Sequence, residues 1–403
     1  MSALIDAAKG ALPKIKVVGI GHAGVNALNN MIRSNLKEVE FIVVSADLQV
    51  LDTSDAKTKL RIGKQITKGV GTGSEPQTGR EAALEDRERI RELLKDSDMV
   101  YIIAGMGGGT GTGAAPVIAE IARGFGALTV AVVTKPFFDE GEVRLSNATL
   151  GIKELNQFVD TTIIIPMDNI RLVVEKDPPS LKIFEVAYDA LRDAVQGITD
   201  LILVPGLINL DFADVKTIMQ CSGKAFMGVG RGTGEQGHIE AAKKAISAPL
   251  SEETSIYGAK RILINITGGS ELSLDAVQGA SELVFDSAHD DADIIFGAVI
   301  DPNYSDQVTV TVIATGFEDK KETTMPKMNR PMYLYDERHV YYESVEKDAI
   351  CGTITSTKNN ERILQSEPYH RSLESHLEPN YIISFDKESL RLPPSLKKIR
   401  KPI

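Results

Sequence analysis

Between Gly105 and Gly113 the chain reads GMGGGTGTG, six glycines and two threonines in nine residues. A run like this is costly in conformational entropy unless the backbone itself has a task. Bare N–H groups joined by the hydroxyls of Thr110 and Thr112 suit phosphate oxygens. A second instance comes earlier: Gly19-Ile20-Gly21-His22-Ala23-Gly24 is a formal G-x-G-x-x-G. A third is the Gly/Thr/Ser-rich stretch 63–79, with Gly71 and Gly73 inside it. No Walker motif accompanies them, because Gly63-Lys64 and Gly223-Lys224 are each followed by the wrong residue. Phosphate is expected to be held by backbone and hydroxyl dipoles, without a P-loop lysine.

The first motif alone admits two readings. Asp47 stands near the spacing of a ribose-binding acid, which would suit an NAD-type oxidoreductase. The plainer alternative is a tight strand-to-helix turn. A dinucleotide fold carries no second glycine run after a later strand, and it gives no account of Asn209, Asp211 and Asp214 in NLDFAD. On spacing alone, Asp211 and Asp214 read as a capping arrangement ahead of a helix over 215–219.

These loops need strands and helices to aim them. KIKVVGI (14–20), VEFIVVSA (39–46), DMVYIIA (98–104), 128–134 and TTIIIP (161–166) are compact apolar runs and read as buried strands. Helices are expected over 26–32, 80–94 and 115–123, with 63–79 a long loop. Strands alternating with helices predict an α/β fold with a doubly wound parallel sheet. A long helix follows over 181–203. A second α+β unit has strands at 261–266, 292–299 and 307–313 and a helix at 273–285, and it ends near Phe317.

The composition narrows the class. The 403 residues carry a net charge of −11 at pI 5.2, which argues against a surface for duplex nucleic acid. Cys221 and Cys351 cannot make a disulfide framework. No apolar run approaches the ~18 residues of a membrane helix, and the start lacks a secretory pattern. A soluble cytoplasmic protein is expected. Seventeen of the 34 glycines lie in the first 126 residues, and only Gly352 lies beyond residue 317.

The string GGGTGTG at 107–113, with GVNALNNMI, GTGSEPQTGR, VQGITDLI, PGLINLDFADVKTIM and IIFGAVID, resembles the tubulin/FtsZ family over residues 14 to 317. The resemblance implies a leader (1–13), a GTP-binding domain (14–180), a connecting helix (181–203) and a GTPase-activating domain (204–317). A linker (318–390) and a basic partner-binding peptide (391–403) would follow. It implies GTP or GDP as ligand, Mg²⁺ on the β- and γ-phosphates, and head-to-tail polymerisation at the bacterial division site. Gly21, His22, Ala23, Gly24, Gly71, Gly73, Gly107, Gly108, Gly109, Thr110, Gly111, Thr112 and Gly113 fall in its phosphate loops. Glu140 and Arg144 match contacts to ribose and nucleotide, Asn26 a base contact, and Phe184 the aromatic packed on guanine. Periodicity by itself would put Phe184 in the core. Asn209, Asp211 and Asp214 match the catalytic loop that one subunit extends to the γ-phosphate of the next, a role compatible with capping. An FtsZ-like scaffold that assembles weakly is the alternative within the same resemblance.

Several positions depart from that pattern. His22 and Ala23 stand where more glycine is usual, Ser45-Ala46-Asp47 replaces Asn-Thr-Asp, and Met167 replaces an asparagine before Asp168. The base-reading Asp or Asn falls at Tyr188, with Asp189 adjacent. Methionine cannot accept from guanine, so base specificity is expected to rest on fewer groups. The C-terminal LPPSLKKIRK loosely resembles the peptide that docks on membrane-tethering partners; a solvated basic tail is the other reading. The tyrosine-bearing strings MYLYDERHVYYE and YIISFD have no assigned role.

Overall fold

The computed structural model describes residues 12–36, 38–174, 179–204, 206–247, 250–252, 255–289 and 291–317. The expected linker, the basic terminal peptide, the tyrosine-bearing strings and most of the leader lie outside the described residues.

The first half alternates as its apolar runs dictate. β1 (Ile15–Ile20) runs into α1 (Gly21–Arg33); β2 (Val39–Ser45), α2 (Leu48–Asp52), β3 (Thr58–Arg61), α3 (Pro76–Glu85) and α4 (Arg87–Leu94) follow. Then come β4 (Met99–Gly105), α5 (Gly109–Gly124), β5 (Leu128–Lys135), α6 (Glu142–Leu155), β6 (Thr161–Pro166) and α7 (Met167–Val173). All six residues of β1 are buried, as befits a parallel strand covered by helices on both faces. The strands order β3-β2-β1-β4-β5-β6, all parallel.

α8 (Ser180–Leu203) leads to β7 (Gly206–Ile208), α9 (Phe212–Met219), β8 (Gly223–Thr233), α10 (Gly237–Ile246), β9 (Arg261–Gly268), α11 (Leu274–Ser287), β10 (Asp293–Ile300) and β11 (Gln307–Thr315). The second set of strands, β8-β11-β9-β10-β7, joins the first where β8 pairs parallel with β6, from Thr161↔Gly223 to Ile163↔Ala225. One eleven-stranded sheet therefore runs through what the sequence reads as two units. Separate apolar clusters fill the two faces of the first half and the helix-covered face of the second.

Four boundaries differ from expectation. The helix expected over 26–32 already begins at Gly21. The helix expected over 80–94 breaks at Asp86, whose buried carboxylate turns inward to accept from Gly63 N at 2.9 Å and pair with Arg89 at 2.7 Å. The loop over 63–79 already becomes helical at Pro76, a residue suited to a first helical turn. The helix expected from 115 begins at Gly109, so half of the glycine run is helix. β8 escapes sequence reading because its alternate glycines look like loop. They are there because α10 lies directly on the strand: a β-carbon at Gly228 or Gly230 would meet the carbonyl oxygens of Ala245 or Ala241.

Candidate nucleotide-binding site

β1 lies between β2 and β4, so the connections leaving β1 and β4 diverge at this point of the sheet. Crevices at the carboxyl ends of such strands are where α/β sheets receive ligands. A cavity of 1360 Å³ opens there. α1 and α5 both start at it, and neither has a side-chain cap hydrogen bond at its N-terminus. Two sets of unsatisfied N–H groups and two positive dipole ends thus face one space.

The structure brings most of the expected residues to this cavity. Gly21, His22, Ala23 and Asn26 line it from α1; Gly71 and Gly73 from the 69–73 loop; and Gly108, Gly109, Thr110 and Gly111 from the start of α5. Glu140, Arg144, Phe184 and Tyr188 complete the lining at the other end. Gly24, Gly107, Thr112 and Gly113, also expected in the phosphate loops, do not line it. Thr112 is buried and its hydroxyl accepts from Gly107 N at 2.8 Å, bracing the loop from behind. Gly113 lies against the backbone of Pro76, and Gly24 against Gly19 and Ile103.

Thr72 lines the cavity as well, and nothing in the sequence singled it out. Its hydroxyl stands 3.2 Å from that of Thr110, tying the 69–73 loop to the first turn of α5. A lone threonine between glycines gives no signal of its own, and only the fold reveals the pairing.

Glu140 and Arg144 pair with each other at 2.9 Å, one helical turn apart. Glu140 also accepts from Phe137 N at 3.0 Å. Asp168, in the string where an asparagine was replaced by Met167, accepts from Phe138 N at 3.0 Å. Arg171 covers the Phe137 ring at 4.6 Å and pairs with Asp139 at 3.1 Å. These contacts fix the 137–140 loop, and with it the wall that Phe137 and Glu140 form.

Phe184 is not a core residue: 43% of it is exposed, at the cavity. Its ring meets Phe137 edge-on at 6.4 Å and lies nearly parallel to Tyr188 at 6.5 Å. The Tyr188 hydroxyl accepts from Asn26 Nδ2 at 3.3 Å. Met167 is buried and lines the same end. Asp47 caps α2 by accepting from Gln49 N at 2.9 Å. That bond gives Asp47 a helix-capping role through one carboxylate oxygen, and the residue also lines the cavity.

Asn209, Asp211 and Asp214 do not line the cavity. They lie past the far end of α8, a helix of 24 residues and so about 36 Å long. Its first turns carry Leu181, Phe184 and Tyr188 on the cavity wall. Asn209 Oδ1 accepts from Gly206 N at 2.6 Å, and Asp214 Oδ2 accepts from Asp211 N at 3.3 Å in a capping box that opens α9. The capping expectation is realised, and Asn209 and Asp211 are exposed.

Along α8 the electrostatics are unusual at Asp200. Burial pushes its carboxyl up to about 6, and the nearby charge of Asp301 adds to this against a hydrogen bond from Gln196. Burial also raises the Tyr101 hydroxyl, with Asp200 contributing. Among the described residues no group of three His, Cys, Asp or Glu side chains could hold a metal, and no helix is long and apolar enough to cross a membrane.

Residues 14–175 match the family model described as the GTPase domain of the tubulin/FtsZ family, and residues 223–318 that of the FtsZ family C-terminal domain. Among solved structures, the chain is similar to an empty FtsZ dimer of M. jannaschii. The identity is 40% and the TM-score 0.73, over 78% of this chain and 91% of that one. It shares its fold with GDP-bound CetZ1 of Haloferax volcanii, at 19% identity and TM-score 0.66, covering 76% of this chain and 95% of the other. It shares it also with the GTPγS-bound CetZ2 protofilament of that organism, at 19% and 0.65, covering 76% and 94%.

Proposed function

This chain belongs to the tubulin/FtsZ family and is a GTPase, and from that membership we propose that it assembles head to tail, each nucleotide being hydrolysed between two subunits. The observation that carries this reading is the placement of the acidic loop. The cavity and the residues Asn209, Asp211 and Asp214 lie at opposite ends of α8, so no single subunit brings them together. Stacking one subunit on the next apposes them, and a heterologous contact of this kind propagates as an open filament.

In this reading the free N–H groups of α1 and α5, with the hydroxyl of Thr110, hold the phosphates. Glu140 and Arg144 flank the ribose, and Asn26, Phe184 and Tyr188 face the base. Asp211 and Asp214 of the next subunit orient a water for in-line attack on the γ-phosphorus, with Asn209 beside them. The water oxygen bonds to phosphorus as the bond to the β,γ-bridging oxygen breaks, leaving GDP and phosphate. Such a site works mainly by positioning and charge compensation. Mg²⁺, which binds through substrate phosphates and water and needs no cage of carboxylates, would supply part of that compensation.

The filament then serves as a division ring in the cytoplasm, tethered to the membrane by partners that grip residues 391–403. Turnover per subunit should rise with protein concentration, and GTP but not GDP should bring the protein into the pellet on sedimentation. Constant turnover per subunit from far below to far above the pelleting threshold would refute shared-site hydrolysis. Turnover without GTP-dependent pelleting would favour the weakly assembling scaffold.

A further inference from the structure

The connection from α10 to β9 belongs to the second half of the sheet, yet its residues 250–252 are seated on the first. Glu252 N donates to Ile164 O of β6 at 3.0 Å. Pairing between β6 and β8 stops at Ile163↔Ala225, so Glu252 takes up the next carbonyl along β6, beyond the last β8 partner. Asn169 Nδ2 of α7 donates to Ser251 O at 3.0 Å. Ser251 is buried, and Leu250 packs on the apolar cluster to which α8 contributes.

The Glu252 side chain bridges the halves a second time. One carboxylate oxygen pairs with Lys135 Nζ of β5 at 3.1 Å, and the other with Lys224 Nζ of β8 at 3.5 Å. The Lys135 and Glu252 side chains are 29% and 32% exposed. Ion pairs this open to water contribute little to folding stability. What a carboxylate shared between two strands does is fix the distance between them.

Both ends of this strap bear on the reaction. Lys135 sits between Thr134 and Pro136, which line the nucleotide cavity, as does Met167 two residues before Asn169. The acidic loop at 209–214 follows β7, whose Ile208 pairs with Ala298 of β10 in the second half. The seam between β6 and β8 is short, three residues from each strand. A small rotation about such a seam displaces the acidic loop relative to the cavity of the same subunit. In a head-to-tail filament every subunit presents both, so the displacement recurs at each shared site.

We infer that Glu252 is a positioning residue for hydrolysis, its ion pair with Lys135 holding the half that carries the acidic loop in register with the cavity wall. This rests on the shared-site hydrolysis proposed above, and it adds a residue that lines no part of the cavity.

The test uses the full chain and Glu252→Gln, which removes the charge and keeps the shape. GTP titration below the pelleting threshold should give an affinity within about twofold of wild type. Turnover per pelleted subunit should fall about tenfold, within the range that misplacement of a catalytic group costs. Lys135→Met should slow turnover likewise. The double variant should be no slower than the slower single variant, since one interaction is lost only once. Wild-type turnover in Glu252→Gln overturns the inference, as do losses that multiply in the double variant. So does GTP affinity that falls in parallel with turnover, the mark of a role in shaping the pocket. Should Glu252→Gln fail to fold, Lys135→Met alone decides between wild-type and reduced turnover. A wild type whose turnover per subunit is constant across the pelleting threshold overturns shared-site hydrolysis itself, a result separable from the others because it involves no variant.

Discussion

The hydroxyls of Thr72 and Thr110 face each other at 3.2 Å across the mouth of the nucleotide cavity. One belongs to a loop between β3 and α3, the other to the first turn of α5. Their mutual hydrogen bond uses one of two protons, so the second is free for a ligand oxygen. Either hydroxyl can be the donor of that bond; Thr110, on the uncapped helix N-terminus, is the better placed to offer its proton to a ligand.

Thr110→Val should weaken GTP binding by the cost of a hydrogen bond to a charged group, about 1.5–3 kcal/mol, and Thr72→Val by about 1 kcal/mol through the loss of a neutral one. Titration with GTP measures both. The order Thr110 above Thr72 is the content of the prediction, and a Thr72 variant more damaging than the Thr110 variant would contradict it.

Asp211→Ala and Asp214→Ala should each reduce turnover by about 10²-fold or more while GTP affinity stays at the wild-type value. A Thr110→Val protein, at GTP concentrations too low to fill its weakened pocket, fails at the other half of the interface. Mixed one to one with Asp211→Ala, it should recover about a quarter of wild-type turnover, because a quarter of head-to-tail contacts then join two intact halves. A mixture no more active than its components would argue against a shared site.

Gly113→Ala and Gly108→Ala should separate folding from binding. A β-carbon at Gly113 would run into the Pro76 carbonyl, forcing apart the start of α3 and the second turn of α5. Overpacking of this kind costs about 1–3 kcal/mol. Gly108 has nothing within 4 Å of the position a β-carbon would take, and its backbone is extended. Its alanine variant should unfold within about 0.5 kcal/mol of wild type, yet bind GTP more weakly, because the added methyl stands in the cavity lining. Urea midpoints and nucleotide titrations on the same two proteins decide it.

The contrast between those glycines shows what a sequence can convey. The glycine run announced a phosphate loop because its composition has no other physical use, and β1 to β6 were legible because doubly covered strands are continuous apolar runs. Position within the run was not legible: Gly108 and Gly113 are the same letter, and only packing separates a lining residue from a buried one. Phe184 sat on an amphipathic helix at core spacing, so periodicity assigned it inward, whereas the helix turns that face toward a cavity. The glycines of β8 spoke for a loop because the helix that excludes their side chains follows later in the chain. Thr72 carries no local signal, since it gains its role from a partner on another element.

Asp200 gives a pH dependence of known sign. Its carboxyl is raised by burial to about 6 in the folded protein, from an ordinary 3.8. Between those values the folded chain keeps a proton that the unfolded chain releases. The stabilisation is complete below about pH 4 and is lost as pH rises through about 6, where folding must confine a charge on the half-buried α8 face. About two pK units correspond to roughly 3 kcal/mol, an upper figure for one group. Asp200→Asn has the shape of the protonated form and does not titrate. Its stability relative to wild type should therefore climb from pH 4 to pH 7 by up to about 3 kcal/mol, leaving the variant the more stable protein at neutral pH relative to its standing in acid. Urea denaturation of both proteins at half-unit steps across that range measures the difference directly. Other titrating groups move both curves alike and cancel. Parallel curves would mean that Asp200 ionises without penalty, and a gap opening toward acid would reverse the sign of its environment.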